Sequence, residues 1–438
     1  MEKRNICSAR SFAPHLCALL LAAILLSGCG KKTSVAQDDA PAFVPRLDSG
    51  TTGTILIAGH YANFEALEAE FDRFNAYYPG IELSYEYLDS YNSNIATAIA
   101  GSEAPDIFFT FTWMLDKPEC EPLFEAAEDL SAPALGINLS AVRQELMTEH
   151  PGGKMLMVPV LSSTYGMLVN QDLFKKHGIE IPQTYDDFKS ACKKFIEEGI
   201  AVPILGGLSD KASSMYSAFS LPYFYHSVGL IPGSVPLLNS LNPEAGKFLA
   251  PLLSMTEDFM SSGIVNQSAC KELKNDYDAL IMRFFEGDIP IAITSADIVS
   301  GTKKRERLSE AFIAQPFTYS FHPVPVPEYG GIFFNSPVID FSVNRNSRNL
   351  ALANEFMRFL LSSEELNNLS AIKRLVTVST DFSFDEVYSA FAVATFVYAE
   401  RTGLMDNAIK QVRRAVRNVA NGTMSPEEAM ANYGTLWE

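Results

Sequence analysis

Two short stretches gather the side chains best suited to chemistry, "GHYAN" (59–63) and "TFTWM" (110–114). In them His60, Tyr61, Asn63, Thr110, Thr112 and Trp113 set hydrogen-bonding groups beside flat aromatic faces. A third cluster, Ser162, Ser163, Thr164 and Tyr165, interrupts two apolar runs, "MLMVPV" (155–160) and "MLVNQDLF" (167–174), without the usual punctuation of a loop. HExxH, GxSxG, GxGxxG and P-loop patterns do not occur, and the six histidines are scattered. With 52 Asp and Glu, some carboxylate pair will fall about 5 to 10 Å apart in any fold, so such a pair signals no glycoside hydrolysis. The chain is therefore not expected to be an enzyme, and neither a catalytic residue, a metal site nor a cofactor is expected.

The elements that must position these residues alternate between strand and helix. "TILIAG" (54–59) is a short apolar strand. Phe64, Leu67, Phe71, Phe74 and Tyr78 then recur at helical spacing over 62–78, so one face of that helix is buried. "PG" (79–80) stops it, and "IELSYEYL" (81–88) alternates like a half-buried strand. A helix over about 91–102 leads to "PDIFFTF" (105–111), the continuous apolar run of a central strand. Strand, helix, strand, helix, strand opens a doubly wound α/β lobe, in which ligands sit beyond the carboxyl ends of the strands. "GHYAN" and "TFTWM" lie just there. Asp106, ahead of the third strand, reads as structural.

Further along, Thr184 is placed to cap a helix over 184–199, "VPILGG" (202–207) reads as a buried strand, and helices follow over 213–226, 243–262 and 274–286. "IPIAIT" (289–294) and "VIDFSV" (338–343) are strands, and "SPEE" (425–428) is a capping-box start for the last helix.

The net charge of −18, from 34 Lys and Arg against 52 Asp and Glu, disfavours nucleic acid as a partner because phosphates would be repelled. At the start, Lys3, Arg4 and Arg10 precede "ALLLAAILL" (18–26) and "LSGC" (26–29). That apolar run is shorter than the roughly 20 residues of a membrane-spanning helix and reads as a signal peptide over 1–28. "LSGC" resembles the bacterial lipobox, in which Cys29 would carry the lipid. Residues 29–53, rich in Gly, Ser, Thr, Asp and Pro, read as a flexible tether. Cys120, Cys192 and Cys270 are odd in number and widely spaced, which favours buried free thiols over a disulfide framework.

The order and spacing of "FEALEAEFDRFNAYYPGIELSYEYL", "IAGSEAPDIFF", "GGKMLMVPVLSSTYGMLVNQDLFKKHGIEIPQTYDDF", "FFEGDIPIAITSAD", "IDFSVNRNSRNLALANEFMRFLLS" and "SPEEAM" resemble the family 1 extracellular solute-binding proteins of ABC importers, which include maltose-binding proteins. The resemblance covers about 54–438. It implies an α/β fold of two lobes, each a mixed β-sheet flanked by helices, joined by crossing segments and closing by hinge bending. It places 54–161 plus 295–341 in lobe one and 162–294 plus 342–438 in lobe two, with crossings near 161–164, 293–295 and 340–343. By position it assigns ligand contacts to His60, Tyr61, Asn63, Thr110, Thr112, Trp113, Ser162, Ser163, Thr164, Tyr165, Tyr216 and Asp297, with Met215 and Phe219 beside Tyr216. Core packing is the commoner explanation for Tyr216 and Phe219, and Asp297 could instead cap a helix.

Rings against the C–H face of a pyranose, with polar groups on its hydroxyls, suit a sugar or oligosaccharide. Sugar-binding members often carry a tryptophan after the "AIT" strand, where this chain has Asp297. The implied protein is a monomer anchored through Cys29 at the extracytoplasmic face of the cell membrane, passing its solute to ABC permease subunits. A surface lipoprotein enzyme acting on glycans, and a sensor docking on a membrane receptor, remain the alternatives.

Overall fold

A computed structural model describes residues 43–436 apart from 63, 210–213 and 274–275. The signal segment, Cys29, Asn63 and most of the tether lie outside the described residues. Two sheets organise the chain. The first runs β11-β10-β3-β1-β2, with β4 and β9 also on β10; the second runs β6-β7-β5-β8. The strands are β1 (Thr52–Gly59), β2 (Gly80–Tyr87), β3 (Ile107–Thr110), β4 (Val158–Ser163), β5 (Tyr165–Asn170), β6 (Ile204–Leu205), β7 (Ile291–Ser295), β8 (Tyr319–His322), β9 (Pro325–Val326), β10 (Gly330–Val343) and β11 (Thr395–Tyr398). The longer helices are α1 (Glu65–Asn75), α2 (Tyr91–Ile99), α3 (Tyr185–Glu197), α4 (Met215–Gly229), α5 (Ala250–Ser261), α6 (Leu350–Leu360), α7 (Ser363–Lys373) and α8 (Asp406–Ala420).

In the first sheet β1 lies parallel between β2 and β3, pairing Ile57 with both Tyr85 and Ile107. Its crossovers are α1 and α2, connections of the kind that are right-handed in nearly all parallel sheets. The expected apolar face of α1 is buried through Leu67, Phe71 and Phe74. Phe74 meets Phe356 and Phe359 of α6 at centroid distances of 5.3 and 5.5 Å. Arg73 then reaches Glu365 of α7 at 2.6 Å. Asp106 is structural, accepting a 2.7 Å bond from the Leu56 amide and holding β1 beside β3.

β4 ends at Ser163 in the first sheet and β5 begins at Tyr165 in the second. Thr164 is thus the step between sheets. Gly166 serves packing there: a Cβ would lie 2.8 Å from the Phe321 ring of β8, so the position admits no side chain. β10 runs through both regions, its first half against β9 and β11 and its second half against β3 and β4.

The sheets divide the chain differently from the boundaries drawn on the sequence. β8, expected with lobe one, pairs with β5 across Met167 and His322. α6 and α7, expected with lobe two, pack on α1, β1 and β4. Val376 and Ser379 follow them onto the first sheet by bridging Ser162 and Val142. The return to the second half comes at the 3-10 turn Glu386–Val393, which packs on β8, and at α8, which packs on α4 and α5. The expected steps at 293–295 and 340–343 accordingly fall on the last residues of β7 and β10.

Two caps read from sequence are formed: Thr184 accepts from the Asp187 amide, and Ser425 and Glu428 complete a capping box. α4 is buried nearly all round, as an apolar helix inside a lobe must be. Cys120, Cys192 and Cys270 are buried free thiols. Among the described residues no helix is long and apolar enough to cross a membrane.

Candidate ligand-binding cleft

A cavity of about 730 Å³ opens between the two sheets, floored by the step from Ser163 to Tyr165. One wall is the 3-10 turn Thr112–Asp116 that follows β3. Phe111 and Trp113 flank Thr112 there with nearly parallel rings, 5.9 Å apart and inclined by 12°. Near the floor Tyr165 stacks on Phe334 of β10 at 5.6 Å and 12°, and Tyr225 of α4 tilts against Phe334 at 4.7 Å. The far wall is the start of α8 with the residues before it, contributing Glu400, Asp406, Lys410 and Arg413.

Polar groups sit between these rings. Ser163 donates to Asp297 Oδ2 at 3.4 Å, tying the floor to the short helix Ala296–Val299. Asp297 is open to the cleft, yet the protein around it withdraws enough water to raise its carboxyl above the usual range, against the pull of Ser295 and Ser163. Burial raises Glu400 well above that range. At the mouth, Asp406 joins the two sides: its Oδ2 lies 3.1 Å from Lys117 and 2.8 Å from Lys410, and its amide donates to Asp116 Oδ2 at 2.9 Å.

A second cavity of about 440 Å³ continues around Trp113, lined by His60, Ser90, Tyr91, Asn92 and Ser93. Gly59 makes the turn into it: a Cβ there would lie 2.6 Å from the Phe109 ring. His60 packs 4.5 Å from the Tyr61 ring and 5.6 Å from Phe109. Burial, with Lys373 nearby, pushes its imidazole down to about 4, so it is neutral at pH 7.

Of the residues named from sequence, Thr112, Trp113, Ser163, Thr164, Tyr165 and Asp297 line the main cavity and His60 lines its extension. Four others do not reach it. Thr110 is fully buried, bonded to Ser342 at 2.9 Å. Ser162, one residue before the floor, faces the opposite side of β4, donating to the Val376 carbonyl at 2.8 Å and accepting from Asn335 at 3.0 Å. Tyr216 is core, its hydroxyl 3.1 Å from Asn421, and Phe219 beside it stacks on Phe259 at 4.3 Å. Tyr61 lies under Lys373, whose Nζ is 4.1 Å from the ring centroid. Sequence reasoning missed Tyr225, Phe334, Glu400, Lys410 and Arg413. For the last two a signal existed, since Asp406, Lys410 and Arg413 recur at helical spacing on one face.

The family model for bacterial extracellular solute-binding proteins matches residues 58–366, more than half of the chain, including the floor of this cleft and the wall after β3. The chain belongs to that family. As a solute-binding protein it shares its two-lobed fold with solved structures of low sequence identity. A family 1 extracellular solute-binding protein from Bifidobacterium longum subsp. infantis is 18% identical with a TM-score of 0.64, covering 89% of this chain and 99% of its own. The GacH receptor of Streptomyces glaucescens, solved unliganded and with acarbose, is 20% identical with a TM-score of 0.63, over 88% and 97%. A sugar-transport protein of Bacillus licheniformis in complex with stachyose is 16% identical with a TM-score of 0.59, over 88% and 100%.

Proposed function

We propose that this solute-binding protein captures an oligosaccharide between its lobes and passes it, chemically unchanged, to an ABC permease at the outer face of the membrane, held there by a lipid on Cys29. The observation that carries the reading is the alternation in the cleft of flat rings (Trp113 on Phe111, Tyr165 on Phe334) with hydroxyl and carboxyl groups (Thr112, Ser163, Thr164, Asp297). Rings pack against the C–H faces of sugar units while the polar groups exchange hydrogen bonds with hydroxyls. The cavity volume falls in the range of about 300 to 1,000 Å³ usual for ligand sites. Acarbose in GacH and stachyose in the Bacillus licheniformis protein support a saccharide of several units. The "LSGC" motif supports the anchor. Closing the lobes on the ligand would form the surface a permease recognises, and a monomer suffices for it.

The test is thermal melting of the full chain in detergent against a saccharide panel, followed by mass spectrometry of the ligand. A solute at about 100 times its Kd should add about 2.7 kcal/mol of stability and be recovered intact. No shift with any saccharide, or turnover of the one that binds, would overturn the reading.

A further inference from the structure

Among the described residues that line the cleft, Arg413 is a cation without an ion-pair partner. It lies on the face of α8 that lines the cavity, one turn beyond Lys410. Lys410 and Lys117 are both committed to Asp406, at 2.8 and 3.1 Å. Arg413 has no carboxylate within 4.0 Å among the described residues, although the chain carries 52 acidic side chains. Its Nε is enclosed and makes no hydrogen bond. A guanidinium has five N–H donors in a rigid fork and no acceptor, so a charge with no anion beside it leaves free energy that a partner on its cavity side would recover.

The acids that share the cavity, Asp116, Asp297, Glu400 and Asp406, do not supply that partner: none forms an ion pair with it among the described residues. Asp297 is tied to Ser163, and Glu400 feels the charge of Asp340. Neither carboxylate comes within 4.0 Å of the guanidinium, which leaves its charge without a direct partner. The group that matches the fork is a planar anion with two acceptor oxygens, held by two parallel N–H to O bonds. Neutral sugar hydroxyls could occupy the donors but would leave the charge unanswered.

Resting on the saccharide reading above, we infer that the solute is an acidic oligosaccharide, one bearing a uronate carboxylate that pairs with Arg413. Asp297 and Ser163, at the floor, are then left to bond hydroxyls of the same ligand, and the rings of Trp113 and Tyr165 to cover its apolar faces.

The experiment is calorimetric titration of the full chain with oligomers of galacturonate, glucuronate and mannuronate, each beside its methyl ester, which keeps the sugar and removes the charge. One free acid should bind roughly tenfold to a hundredfold tighter than its ester, the span of a charge-assisted hydrogen bond. Arg413→Gln should bring acid and ester to equal affinity, Arg413→Lys should keep part of the preference, and both variants should melt within a few degrees of the parent without ligand. Neutral saccharides or esters binding as tightly as the acids would overturn this inference and leave the saccharide reading intact. So would an Arg413→Gln variant that weakens acid and ester equally. Failure of every saccharide, acidic and neutral, would overturn both.

Discussion

Lys117 Nζ and Asp406 Oδ2 lie 3.1 Å apart across the mouth of the cleft. Lys117 follows the turn after β3 in the first half, and Asp406 begins α8, which packs on α4 and α5 of the second. Neither side chain is more than 17% exposed, so the pair is shielded better than an ordinary surface ion pair. Asp116 adds a carboxylate at the start of the same helix, where the backbone dipole favours negative charge.

Breaking this contact should favour the open form. Lys117→Met or Asp406→Asn is expected to cost about 1 kcal/mol of closure, read as roughly fivefold weaker ligand binding and a larger radius of gyration in solution scattering without ligand. Added salt should weaken the parent more than either variant. Unchanged scattering and affinity would mean that the contact holds nothing.

Ser162 and Ser163 are neighbours with opposite roles. Ser163→Leu projects into the cleft and should abolish binding with little change in melting temperature. Ser162→Leu would strip partners from Val376 and Asn335 in a fully buried site and should lower stability by about 3 kcal/mol or more. Circular dichroism melts beside titration of a bound saccharide separate the two.

Trp113→Ala removes a stacking face and should weaken binding about tenfold to a hundredfold, while Tyr216→Phe should cost only about 1 kcal/mol of stability and leave affinity unchanged. The contrast tests the division between cleft and core on two residues that the resemblance assigns to the ligand, one of which, Tyr216, core packing explains better.

How far the sequence carried depended on whether a residue's fate was set locally. The buried face of α1, the Thr184 cap and the Ser425 capping box follow from spacing and are present. A position after a strand end was enough to bring Trp113 and Asp297 to the cavity. Ser162 and Ser163 could not be separated, because alternation tells that two neighbours face opposite ways and not which way is the cleft. Nor could α6 and α7 be assigned to a lobe: an amphipathic pattern says that a face is buried, and only tertiary contact with α1 says against what. Arg413 went unnoticed since a lone arginine on a helix is ordinarily solvated, and its enclosure appears only once α8 is docked.

His60 gives a pH dependence. Its imidazole sits near pH 4 in the fold against about 6.5 unfolded, so between these values the unfolded chain binds the extra proton. Its contribution is fully present above pH 6.5 and is lost as pH falls towards 4. Compared with His60→Phe, which keeps the ring and cannot take a proton, the parent should lose about 1 to 2 kcal/mol more stability on going from pH 7 to pH 4.5, after allowance for the water that reaches the ring. Parallel losses in parent and variant would contradict this placement of His60.

The central claim is that the cleft between the two sheets captures a saccharide, and a crystal structure with the tightest-binding member of the panel tests it most directly. The ligand is expected against Trp113 and Tyr165, with a hydroxyl on Asp297 and the lobes closed around it. A saccharide bound outside that cleft, or cleaved within it, would rule out capture there.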